Sequence, residues 1–184
     1  LFFPGHGMIA QTAGLENSAH KSNALALAQA GYVTLTIESR GVGELGQVEH
    51  VSLDYVARLM GRTWLTMVLE DGLLGLDYLQ ALPDVSPDRL GVAGFGLGGG
   101  LALYTAALDE RVRAAVVQGY LGGGIDPLIV EGHGCDFVPD LWRYATFSDV
   151  ARLMLPRPVL YVYPAGRSTT RVARRWWNET RPQY

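Results

Sequence analysis

Seven residues, Gly94-Phe95-Gly96-Leu97-Gly98-Gly99-Gly100, place five glycines between an apolar run and a helical pattern. Glycine weakens the interior of strands and helices alike. A cluster of this kind therefore belongs where a strand turns into a helix and the two backbones pass close together. The rest of the chain repeats the same strand-then-helix order. Strands are predicted at Leu1–Pro4, Tyr32–Glu38, Arg89–Phe95, Ala114–Gln118 and Pro158–Tyr163, each apolar without polar alternation, as in strands covered on both faces. Helices are predicted at Asn17–Ala30, closed by Gly31, at Ser52–Leu82, stopped by Pro83, and at Gly98–Leu108. Two more are expected at Ser148–Met154 and Thr170–Thr180. The expected fold is α/β, with a doubly wound, mostly parallel sheet of about five strands in a single domain over residues 1–184. A ligand site then belongs beyond the carboxyl ends of the strands.

Composition narrows the function classes. The 184 residues are 48% hydrophobic with a formal net charge of -3, which excludes a disordered tail or a basic nucleic-acid arm. No apolar run approaches the ~18 residues that span a bilayer, so no membrane partner is expected. The single cysteine, Cys135, rules out an internal disulfide, and a cytoplasmic setting is the expectation. The chain opens inside a strand and stops at Tyr184 before a last strand and helix. A domain core incomplete at both ends is expected.

Two motifs compete for the glycine turn. In the nucleophile elbow, Gly-x-Ser-x-Gly, a strained backbone exposes the central side chain above the sheet, and flanking glycines let strand and helix approach. Gly94, Gly96 and Gly98 fill its three positions, with glycine in place of the serine. The alternative is a dinucleotide fingerprint, Gly94-x-Gly96-x-x-Gly99. That fingerprint wants the first strand–helix turn and an acidic residue after the next strand. Here two strands precede it, and the next strand ends Val117-Gln118-Gly119-Tyr120. The elbow reading explains more.

The surrounding residues, Leu82-Pro83-Asp84-Val85-Ser86-Pro87-Asp88-Arg89-Leu90-Gly91-Val92-Ala93 leading into the turn, resemble the elbow region of bacterial α/β-hydrolases of the dienelactone-hydrolase and acetyl-xylan-esterase type. Phe3-Pro4-Gly5-His6-Gly7 and Ser39-Arg40-Gly41-Val42-Gly43-Glu44 resemble two further turns of that family. The resemblance implies an α/β-hydrolase sheet and cofactor-free hydrolysis of a small acyl ester, with a serine at the position of Gly96. By position it also implies an oxyanion niche, with one backbone donor at Leu97 and the other near Gly7 or Met8, and with His6 beside it.

This chain departs from the family at all three catalytic positions. A carboxylate is expected after the strand that follows Arg157-Pro158, but Pro164-Ala165-Gly166-Arg167-Ser168 holds none. A histidine should come later still, and the last one is His133. The expectation is negligible triad catalysis. A ligand-binding pseudoenzyme or scaffold is the second reading, and a nucleotide binder using the Gly94–Gly99 loop the third.

Other polar residues are read as structural. Glu131-Gly132-His133-Gly134-Cys135-Asp136 lacks the paired spacing of zinc motifs, so it is expected to be a glycine-rich loop, and no metal is expected. His6 should brace the oxyanion turn, while His20 and His50 should lie on the surface or in loops. Glu38 is expected to pair with Arg40 or another arginine. Ser168, Thr169 and Thr170 read as a helix cap. Trp176 and Trp177 with Arg171, Arg174, Arg175 and Arg181 could stack on nucleic acid or lie on a membrane surface. The expectation is instead that the tryptophans dock on the sheet while the arginines face water, and the overall acidic balance argues for no nucleic-acid partner.

Overall fold

The computed structural model describes residues 1–16, 22–120, 134–163 and Asn178. In chain order its elements are β1 (Phe2–Phe3), α1 (Ile9–Thr12), α2 (Asn23–Gln29), α3 (His50–Leu59), α4 (Trp64–Ala81), β2 (Leu90–Phe95), α5 (Leu97–Leu108), β3 (Val112–Gln118), α6 (Leu141–Tyr144), α7 (Phe147–Arg152) and β4 (Val159–Val162). The four strands pair in the order β1-β2-β3-β4, all parallel, with Phe3 opposite Gly94 and Phe95 opposite Gln118. The α/β sheet with flanking helices is as expected.

Two expectations need correction. The predicted strand Tyr32–Glu38 is reduced to one parallel bridge, Thr36 to Phe2, with the Phe2 N–H donating to Leu35 O at 2.8 Å. Its partner β1 is only two residues long, because Pro4 has no N–H to give and the chain turns at Gly5. The long helix predicted over Ser52–Leu82 is two helices. Gly61 takes φ +72, ending α3, and Thr63 starts α4 by accepting from the Thr66 N–H at 3.2 Å. The predicted Thr170–Thr180 helix, with Trp176 and Trp177, lies outside the described residues.

The bridge at Thr36 fixes the winding. From β1 the chain moves to the segment around Thr36 on one side, and later from β2 to β3 on the other. The strand order therefore reverses between β1 and β2, and their carboxyl ends are where such a sheet places its ligand site. Beneath it lies the core. α5 is buried from Leu97 to Ala106 and packs on β1, β2 and β3, joined by Trp64, Leu65, Leu76, Val92, Val117 and Met154. Among the described residues no helix is long and apolar enough to cross a membrane.

Candidate functional site

Two turns meet at these carboxyl ends: Pro4–Met8 after β1 on one side, Gly96 and Leu97 after β2 on the other. They touch through their backbones. A Cβ on Gly5 would lie 2.4 Å from Gly98 N, one on Gly98 would lie 2.0 Å from Phe3 O, and one on Gly94 would lie 2.0 Å from Gly98 O. Real Cβ atoms do not approach so closely, so these positions need glycine for space.

Gly96 needs it for a different reason. Its φ of 57° and ψ of -126° are a conformation that L side chains rarely adopt, yet a Cβ built there meets nothing within 4 Å. The backbone would strain any other residue, while the space above it is open. Its N–H donates to Gln118 O at 2.8 Å, tying the turn to the end of β3. Gly99, the last glycine of the dinucleotide fingerprint, would place a Cβ 2.8 Å from Gln118 O, so it too is glycine for close packing of α5 on β3.

Leu97 is the first residue of α5, where a backbone N–H has no carbonyl of its own helix to reach. Of the two expected partner donors, the Gly7 N–H is engaged within its turn, donating to Pro4 O at 2.9 Å. The Met8 N–H donates to Gln11 Oε1 at 3.3 Å, a long contact to a side chain. Among the described residues Glu38 has no ion pair with an arginine. Its carboxylate accepts from the Ile9 N–H at 3.2 Å, and its pKa is raised chiefly by burial. Arg40 grips Asp71 instead, with Nε donating at 2.7 Å and Nη2 at 2.6 Å.

The structure also assembles a group of side chains that no spacing in the sequence joins. His6 Nε2 lies 3.2 Å from Cys135 Sγ, and potential ligand atoms of His6, His50 and Cys135 all fall within 4.8 Å of one another. His50 is not a loop residue. It opens α3, half-buried, its ring 5.3 Å from that of the fully buried Trp64. His6 stacks on the same indole at 6.4 Å, an interplanar angle of 16°. Cys135 is a buried free thiol in a short 3₁₀ turn, Gly134–Asp136, and not part of an open loop. Burial first, and then Asp136, push the thiol up to about 11, so the metal-free side chain is a neutral thiol and not an activated nucleophile. Glu131, His133, His20 and residues 164–170 lie outside the described residues.

A parallel sheet whose order reverses, flanked by helices, is a doubly wound α/β architecture, and likeness to known proteins places it among the α/β hydrolases. Residues 4–128 match the dienelactone hydrolase family, and the chain belongs to that family. It is 33% identical over 141 residues to YtaP of Bacillus subtilis, whose name places it among the hydrolases; the match covers 73% of this chain and 46% of YtaP. The fold is similar to a Bacteroides fragilis crystal structure named as an acetyl xylan esterase, with TM-score 0.74 and 20% identity over 97% of this chain and 54% of the other. It is also similar to the α/β hydrolase GrgF from Penicillium, with TM-score 0.63 and 15% identity over 97% and 76% of the two chains. The chain thus spans about half the length of YtaP and of the Bacteroides protein.

Proposed function

We propose that this chain carries the scaffold of a carboxylic-ester hydrolase in which the turn at Gly94–Gly98 is the nucleophile elbow and Gly96 holds the nucleophile's place. The observation that carries the reading is the pair of facts at Gly96: a backbone that suits an exposed central residue, and open space where a side chain would project. Gly94 and Gly98, the flanking motif residues, are held to glycine by contact alone.

In this reading the chain binds a small acyl or ester ligand and does not cleave it by a triad. Leu97 supplies one backbone donor to a carbonyl oxygen. Met8 supplies the second once Gln11 Oε1 swings away, since a 3.3 Å side-chain contact gives way more easily than the closed Gly7 turn. Without a hydroxyl at position 96, and with no carboxylate at Pro164–Ser168, only the residual acceleration of about 10³–10⁴ over water that triad-less serine hydrolases keep is expected. A cytoplasmic setting is part of the same proposal, since a single cysteine calls for no oxidising compartment.

Calorimetry with short-chain acyl compounds tests the binding part. Saturable binding, weakened by Gln11→Glu, which sets a carboxylate beside the second donor, is the expected result. No binding at millimolar ligand would remove it.

A further inference from the structure

The chain brings together two imidazoles and one thiol from three separate elements: the turn after β1, the first residue of α3 and the Gly134–Asp136 turn. We propose that His6, His50 and Cys135 form a binding site for a zinc-class divalent transition-metal ion, with a fourth position left to water. Two borderline nitrogens and one sulfur suit Zn²⁺ or Co²⁺ and do not suit Mg²⁺ or Ca²⁺, which want oxygen.

The ligand atoms lie close enough to be drawn around one ion. Metal–nitrogen bonds of about 2.0–2.1 Å and a metal–sulfur bond of about 2.3 Å put tetrahedral nitrogen–nitrogen and nitrogen–sulfur pairs roughly 3.3–3.6 Å apart. His6 Nε2 and Cys135 Sγ are 3.2 Å apart, and the whole set lies within 4.8 Å. Closing the rest takes a rotation of the imidazoles, and His6 is exposed while His50 is half-buried. The ring of His50 lies 4.7 Å from that of His6, so the two imidazoles and the thiol meet at one point.

The surroundings hold the ligands in place. Arg58 donates Nη2 to Gly134 O at 2.9 Å, beside Cys135, and Nε to Asp54 Oδ2 at 2.7 Å. Asp54 is buried, and its other oxygen accepts from the Trp64 N–H at 2.9 Å. Trp64 donates its indole N–H to Arg40 O at 2.6 Å, which fixes the ring against which both histidines lie. The cysteine turn, α3 and α4 are thereby locked to one another, the outer support a metal site needs. On binding, Cys135 releases its thiol proton to solvent and coordinates as thiolate. The imidazoles bind neutral, and no oxidation state changes. The site stands whether or not Gly96 is a nucleophile position.

The test is titration of the reduced, metal-free full chain with Co²⁺, read by absorbance. One equivalent should produce a near-ultraviolet thiolate-to-cobalt band and the strong visible bands of tetrahedral cobalt, both discharged by Zn²⁺. Cys135→Ser should abolish the near-ultraviolet band, and His6→Gln or His50→Gln should weaken binding about tenfold or more. The wild-type spectrum decides even where a variant fails to fold. Absence of the thiolate band at one equivalent overturns the proposal, as does a band that survives Cys135→Ser or unchanged affinity in a folded His50→Gln.

Discussion

Two sites share the carboxyl end of this sheet, and they are made of opposite materials. The turn at Gly94–Gly98 is all backbone: its shape comes from side chains that are absent, and its candidate donors are main-chain N–H groups. The corner at His6, His50 and Cys135 is all side chain, held by Arg58, Asp54 and Trp64. The difference teaches where each is fragile. The turn fails when an atom is added, and the corner when one is taken away.

The comparison breaks most visibly at neighbouring glycines. Gly98→Ala forces a Cβ to 2.0 Å from Phe3 O and should cost about 3 kcal/mol or more. Gly96→Ala meets nothing and should cost only backbone strain, about 1–3 kcal/mol. Denaturant unfolding of both variants measures the gap, and equal losses would show that the turn is not ruled by contact.

Taking atoms from the corner should have a middling effect. Arg58→Ala removes the partner of the buried Asp54 carboxylate and the clamp on Gly134, for about 1–3 kcal/mol. Its unfolding midpoint should fall further than that of Glu70→Ala, which breaks only the exposed pair with Arg62.

The smallest effect belongs to a side-chain pair outside both sites. Arg111 donates Nη2 to Asp109 at 2.6 Å and holds that carboxyl below its ordinary range, against the opposing effect of burial. A carboxyl whose folded pKa is depressed contributes stability that is complete above its unfolded pKa of ~3.9 and is lost as pH falls through the folded value. With Arg111 about a third exposed, screening keeps the contribution to about 1 kcal/mol or less. Unfolding of Asp109→Asn at pH 7 and at pH 3 should therefore show a deficit that shrinks in acid. A deficit that grows in acid would contradict it.

Legibility in the sequence divides along the same line. The glycine turn is legible because strand, glycines and helix are contiguous, so one short window holds the whole constraint. Pattern alone over-reads the strand Tyr32–Glu38: its apolar residues suit a strand, but pairing depends on a neighbour that Pro4 cuts short. It under-reads the break between α3 and α4, because the apolar spacing runs on through Gly61 and Thr63. The corner is illegible in any local pattern. His6 and Cys135 stand 129 positions apart, and only the convergence of the Pro4–Met8 turn, α3 and the Gly134–Asp136 turn brings them together. The one available signal is His6 itself, a polar ring in the turn after the first strand, where later segments must meet.

The most direct test of the central claim is hydrolysis of a short-chain nitrophenyl ester by the chain and by Gly96→Ser, side by side. The proposal that Gly96 holds the nucleophile's place without an acid or base to serve it predicts that neither turns over the ester beyond the residual acceleration of a triad-less site. Efficient turnover by the unaltered chain would contradict the account outright, and efficient turnover by Gly96→Ser alone would show that a general base lies within reach of position 96.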